Sequence, residues 1–338
     1  MKALHESLLR APDDDPAWLV AADALSGQGD VRGTVMALQC RGALSADERK
    51  LEARLLKKHA GDLCGALRPV VELRSVEVRR GFVTALRLKA VTFDALAPLL
   101  ADPLWRFVRS VDLEALEEPA VLQVIDALPW VTGLGGLSRR VVERLDPRRT
   151  QTLERLGVMA TAEHQQRLDP RLAQLLTNEQ FPALRALRTG GRFHVFDMVS
   201  VLERLPRLEA LSVANVRADS LVGGELAFLD WVPALSDTPL SRFELREDDG
   251  AGFWSPRMGW VVQLERDSAR RFNRLHARLH PASSRSTTPP YQRLAQGLRR
   301  WFPALTEVRI EGLTLSSANR NELEAMFTSV PAARRQLG

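Results

Sequence analysis

The chain has 338 residues, 45% of them hydrophobic, and a formal net charge of +5. That is enough apolar content for a continuous core, and more length than one typical domain uses. No run approaches the roughly 18 apolar residues of a membrane span, the first residues lack the apolar stretch of a secretory signal, and Cys40 and Cys64 are too few for a disulfide framework, so a cytoplasmic protein is expected.

Arginine outnumbers lysine 42 to 5, and the basic excess is concentrated: Arg266 to Arg300 holds nine arginines against one acid, Asp267. The rest of the chain is slightly acidic.

In chain order, the first informative stretch is PDDDPAWLVAADAL, residues 12 to 25. Pro16 suits the first turn of a helix, where its missing N–H is harmless. Asp15 then reads as the N-cap, with Asp13 and Asp14 at the positive end of the helix dipole. Trp18, Leu19, Ala22 and Leu25 recur at helical spacing, and Gly27 with Gly29 supplies the stop. Asp30 caps a second helix through Val35, Met36 and Leu38, and Ser45 with Glu48 has the spacing of a capping box. A calcium loop needs alternating oxygen ligands and a late bidentate Glu, which DDDPAW does not offer. The aspartates read as helix punctuation.

Together, PDDDPAWLVAADAL and GQGDVRGTVMALQ resemble the bacterial repeat-companion domain over roughly residues 3 to 65. The aspartates, Ala22-Asp23, Gly29-Asp30, Arg32-Gly33 and Leu38-Gln39 fall in register with it. Ala21, Ala24 and Val31 replace the family's usual Tyr, Trp and Pro. The resemblance implies a small all-α module, residues 1–66, placed ahead of repeats that are commonly leucine-rich. It brings no catalytic residues.

The remaining residues, 67–338, repeat an apolar pattern at positions 1, 4 and 6. It occurs in VTALRL from Val83, VRSVDL from Val108, LERLGV from Leu153, LEALSV from Leu208, LSRFEL from Leu240 and LTEVRI from Leu305, with weaker copies from Val131 and Leu184. Most intervals lie near the 20–29 residues of a leucine-rich repeat. Pro182, Pro206 and Pro303 precede strands, and HVFDMVSVLERL and YQRLAQGLRRWF read as helices. The expected fold class is α/β: an irregular leucine-rich-repeat solenoid of short parallel strands with helices on the convex side. The ninth position, usually Asn, is instead Val91, Leu116, Thr161, Val216, Asp248 or Leu313, hence the expected irregularity. A further unit is expected around GWVVQLE (259–265), followed by an insertion.

No catalytic constellation emerges. His276 and His280 lack the intervening Glu of a zinc-protease helix and read as surface residues of an Arg-rich helix. His194 follows only a Gly pair, and GLGGLS (133–138) reads as a tight turn in a degenerate repeat. No cofactor or metal is expected.

Binding remains. Between the apolar positions lie residues expected on a concave face: Arg87, Lys89, Arg109, Arg242, Arg246 and Arg309, against Asp112, Glu114, Glu209 and Glu244. This balanced, aromatic-poor set suits a protein partner of mixed charge, and it is equally the pattern of a solvated face. The segment DSARRFNRLHARLH reads as a basic amphipathic helix, with Phe272, Leu275 and Leu279 on one side and Arg270, Arg271, Arg274 and Arg278 around them. The stretch 281–290 reads as a loop. The expected function is a non-enzymatic scaffold recognising a protein, with a nucleic-acid adaptor acting through residues 266–300 as the alternative and an enzyme third.

Overall fold

A computed structural model describes residues 2–12, 14–41, 43–159, 170–190, 195–213, 238–246, 260–266, 272–279 and 305–311, with scattered positions from 321 to 337. The chain divides into two compact units, Met1–Gly135 and Gly136–Gly338. Both are α/β, with mostly parallel strands joined in sequence order.

The first unit opens with four helices: α1 (Lys2–Arg10), α2 (Asp15–Gly27), α3 (Val31–Gln39) and α4 (Ala46–Cys64). The N-cap of α2 is Asp14, which accepts from the Ala17 N–H; Asp15 is the first helical residue, so the sequence expectation was one residue late. Asp15 instead pairs with Arg80 at 2.7 Å. The end of α2 is a Schellman motif, with Gly29 at φ +74° and the Asp30 N–H donating to the Leu25 carbonyl. Asp30 caps α3 through the Arg32 N–H, and Ser45 with Glu48 closes the capping box of α4. These bonds satisfy helix-end donors that would otherwise be orphaned.

The chain then forms β1 (Glu77–Arg79) and β2 (Phe82–Arg87), an antiparallel hairpin turning through Arg80 and Gly81, both at positive φ. Such a turn matches the natural strand twist. Parallel strands β3 (Ser110–Asp112) and β4 (Gly133–Leu137) follow. Helix α5 (Phe93–Leu96) with two 3-10 turns precedes β3, and α6 (Glu118–Ala127) precedes β4. The helices and the hairpin share one core of Leu8, Trp18, Ala21, Ala22, Leu25, Met36, Phe82 and Phe107. Phe82 and Phe107 stack at 3.9 Å. Each fully buried aromatic or leucine contributes about 1.5–3 kcal/mol.

In the second unit, α7 (Arg139–Glu143) and α8 (Pro147–Thr150) lead to β5 (Arg155–Val158). Helix α9 (Pro170–Leu175) leads to β6 (Ala186–Thr189), and α10 (Val195–Arg204) to β7 (Ala210–Val213). Then come β8 (Arg242–Arg246), β9 (Trp260–Arg266), β10 (Phe272–Leu279), β11 (Glu307–Glu311) and β12 (Arg335–Leu337). Strands β5 to β8 are parallel, β9 is antiparallel to both β8 and β10, and β10 to β12 are parallel again.

All eight expected apolar patterns carry a strand. Positions 1 and 4 are buried in every copy: position 4 faces the core from the strand, where side chains alternate, and position 1, three residues earlier, is buried as well, before the strand in every copy but the first. Across β5 to β11 the fourth positions and their neighbours form one row of Leu156, Leu187, Leu211, Phe243, Leu264, Leu275 and Val308, each at most 2% exposed. Turns set the strands in register: Val108, Val131, Leu153, Leu184 and Leu208 each donate an N–H to the carbonyl three residues earlier. Pro129, Pro182 and Pro206 occupy the turn position that a fixed φ favours.

Three expectations fail. GLGGLS is no turn: Gly133–Leu137 is a buried strand, and a Cβ at Gly133 would sit 2.6 Å from the Ser110 Oγ, so glycine is required there. GWVVQLE does form a strand, but β9 runs against its neighbours and is no repeat of the parallel pattern. The Arg-rich helix is strand β10. Its sequence is apolar at 275, 277 and 279 and polar or basic at 274, 276 and 278, and pairing with β9 and β11 selects that period of two. Residues 247–259, 267–271 and 280–304, including Arg270, Arg271 and His280, lie outside the described residues, as does His194.

Candidate functional site

Opposite the core, the strands present their position 3, 5 and 7 residues, and the two units use them differently. In the first unit, Arg87 on β2 donates from both Nε and Nη2 to Asp112 Oδ2 on β3, each at 2.9 Å, and from Nη2 to Glu114 at 2.8 Å. Glu72 approaches the other side of the guanidinium at 3.6 Å. The second oxygen of Asp112 accepts from the Glu114 N–H. Arg87 is 8% exposed and Asp112 is fully buried. Residues 70 to 75 cover them by folding back beside β2: Glu72 N–H donates to the Arg87 carbonyl, and Ser75 Oγ accepts from the Arg87 N–H. These two expected contact residues are therefore consumed within the fold. Lys89 is exposed and donates to the Pro69 carbonyl; Arg109 is exposed.

In the second unit the corresponding face is open. Residues Arg155, Ala186, Ala210, Arg242, Glu265, Arg274 and Glu307 stand side by side across β5 to β11. A second row runs Gly157, Arg188, Ser212, Glu244, Gln263, His276 and Arg309. Opposite charges pair, and in the first row they alternate over β8 to β11. Arg274 lies 4.0 Å from Glu265 and 3.6 Å from Glu307. Arg242 donates to Glu244, which also accepts from Ser212 Oγ at 2.9 Å. Glu311 takes Arg309 Nε at 2.6 Å and lies 3.4 Å from His276 Nε2. Arg185 pairs with Glu209 at the start of β6 and β7. Arg242, Arg274, Glu307 and Arg309 are roughly half exposed. Arg246 and Arg278 hold strand positions on β8 and β10.

The sequence placed Arg242, Glu244, Arg309 and Glu209 on this face, and it put Arg274 on a helix instead. It gave no reason to single out Gln263 and Glu265, because β9 reverses direction and so falls outside the repeat phase. Within the basic segment, Arg274 is flanked by carboxylates on both neighbouring strands.

The N-terminal motif residues serve the fold. Arg32 donates to Asp30 and to the carbonyls of Asp62 and Leu63, joining the start of α3 to the end of α4. Gln39 bridges Glu52, the Val78 carbonyl and the Gly81 N–H. Arg80 reaches the Pro12 carbonyl and lies over the Trp18 ring at 5.3 Å. Burial pushes the Cys64 thiol up to about 11 and raises that of Cys40, so both are poor nucleophiles. Among the described residues no three His, Cys, Asp or Glu side chains gather as a metal site, and no helix is long and apolar enough to cross a membrane. No protein-family model matches the sequence, and neither a curated protein nor a solved structure matches it.

Proposed function

We propose that the chain is a leucine-rich-repeat-like interaction scaffold, headed by a repeat-companion-like helical module, that recognises a protein through the polar face of β5 to β11. One observation carries this reading: the second unit exposes two adjacent cross-strand rows of mixed charge, the first alternating in sign over β8 to β11, fixed by hydrogen-bonded strands. A rigid array of both signs offers orientation-specific complementarity, and it steers and selects a partner more than it adds affinity. A nucleic-acid groove needs a surplus of positive charge aimed at phosphates, and here Arg185, Arg242, Arg274 and Arg309 each have a carboxylate beside them. The helical module and hairpin would act as the cap of the repeat array, with residues 70 to 79 covering the β2 edge that would otherwise stay unpaired.

The test is photo-crosslinking in the native lysate from probes at positions 242 and 309, with a probe at Asp126 on α6 as control. Discrete, nuclease-resistant protein adducts from 242 and 309 alone are expected. Adducts only to nucleic acid, or none at all, would overturn the scaffold.

A further inference from the structure

The charge pattern on β8 to β11 is antisymmetric, and that property selects a partner. In the first row the four strands read Arg242, Glu265, Arg274, Glu307: plus, minus, plus, minus. In the second they read Glu244, Gln263, His276, Arg309. Consider a two-fold axis lying in the face, parallel to the strands, between β9 and β10. It brings β8 over β11 of a second copy and β9 over β10. Arg242 then meets Glu307, Glu265 meets Arg274, Glu244 meets Arg309, and Gln263 meets His276.

Every charge in both rows thus faces its opposite. Moving the axis one strand gap toward β8 sets Arg188 against Arg309, and placing it on β9 sets Arg242 against Arg274. Among these placements one leaves no like pair.

We infer that this face binds a second copy of the chain, as an isologous, face-to-face dimer across β8 to β11. The inference rests on the scaffold reading and names its partner. A self-complementary patch is what two-fold association requires, since each residue is used twice. Within one chain each charge already has a partner, so the second copy converts pairs into a four-way network. With no apolar centre, the dimer is weak and electrostatic, and salt at a Debye length of about 3 Å (1 M) screens it.

Sedimentation equilibrium on the full chain tests this at about 50 mM and about 500 mM sodium chloride. A species of twice 37.7 kDa at low salt that reverts to monomer at high salt is expected. A chain that stays monomeric at low salt up to about 100 µM, or associates more as salt rises, overturns the inference. Two variants sharpen it. R242E/R274E makes the first row wholly negative and E265R/E307R makes it wholly positive. Each alone should be monomeric, and their equimolar mixture should restore a mixed dimer; self-association of either variant at the wild-type level would place the interface elsewhere. If a variant fails to fold, the wild-type salt dependence still decides. A monomeric wild type that crosslinks to a different protein from position 242 sinks self-association alone. No adduct of any kind, own copy included, sinks the scaffold reading as well.

Discussion

Arg87 on β2 and Arg309 on β11 occupy the same position of the same repeat pattern, and both lie beside carboxylates. Arg87 is buried; Arg309 is half exposed. The difference arises from what each strand has beside it. Residues 70 to 75 return along β2 and place Glu72 and Ser75 against Arg87, whereas β11 continues into β12 through a parallel neighbour. An ion pair closed off in this way belongs to stability, and one left open is available to a partner. A repeat position therefore does not define a role until its neighbours are known.

The buried pair should break hardest. Arg87→Ala leaves the fully buried Asp112 without its counter-charge, and about 3–5 kcal/mol should be lost. Replacing both, as R87M/D112L, should recover much of that, because the fully buried carboxylate goes with its counter-charge and the carboxylates left behind, Glu72 and Glu114, still reach water. Urea unfolding of the three chains checks it, and a wild-type midpoint for Arg87→Ala would show that the pair is not closed off. A step smaller is Gly33→Ala at the crossing of α2 and α3. Its Cβ would lie 2.5 Å from the Ala22 carbonyl and 2.4 Å from Ser26 Oγ, so the helices must separate, at about 1–3 kcal/mol. The same unfolding measurement reads it.

The strands were legible in the sequence because burial of positions 1 and 4 leaves a local, periodic trace, seen at Val108 and Val111 as at Leu208 and Leu211. The caps at Asp30 and Ser45 were legible too, since capping is settled within three residues. What local pattern missed was decided at a distance. Phe272, Leu275 and Leu279 fit a helical stripe as well as Leu275, Ala277 and Leu279 fit a strand, and only β9 and β11 break the tie. The burial of Arg87 and Asp112 depends on residues 70 to 75 folding back, which leaves no mark in VTALRL or VRSVDL. Half of the candidate face was visible for the same reason: β8 and β11 keep the repeat phase, while β9 and β10 leave it.

An intermediate effect should appear with pH in the first unit. His5 stands edge-on to Phe82 and Phe107 at 5.4 and 5.6 Å, with Nε2 buried and unbonded. Burial holds its imidazole below the usual 6.5, and the Arg32 charge adds to this, while Asp102 and Asp30 pull the other way. The folded state thus binds its proton less readily than the unfolded chain. Stability from neutral His5 is fully present above about pH 6.5 and is lost as pH falls through the lowered folded value. Melting temperature followed from pH 8 to pH 5 should drop for the wild type, and His5→Phe should flatten that part of the curve. An equal slope in both chains would remove His5 as the source.

The smallest expected change in stability is at the open face, and there it carries the most meaning. Arg242→Ala and Arg274→Ala each remove a half-exposed cation whose pairs are screened by water, so each should cost about 0–1 kcal/mol. The folded chain should remain, with its unfolding midpoint close to wild type. The same two substitutions should abolish the low-salt dimer and the adducts from position 309, because a partner meets these groups together and loses its complementary array. Arg87→Ala gives the opposite profile, losing stability while molecules that remain folded keep the face of β8 to β11 intact. Sedimentation and urea unfolding on the same preparations separate the two. If Arg274→Ala unfolds the chain as readily as Arg87→Ala does, the face is held together by its charges, and the contrast between closed and open pairs fails.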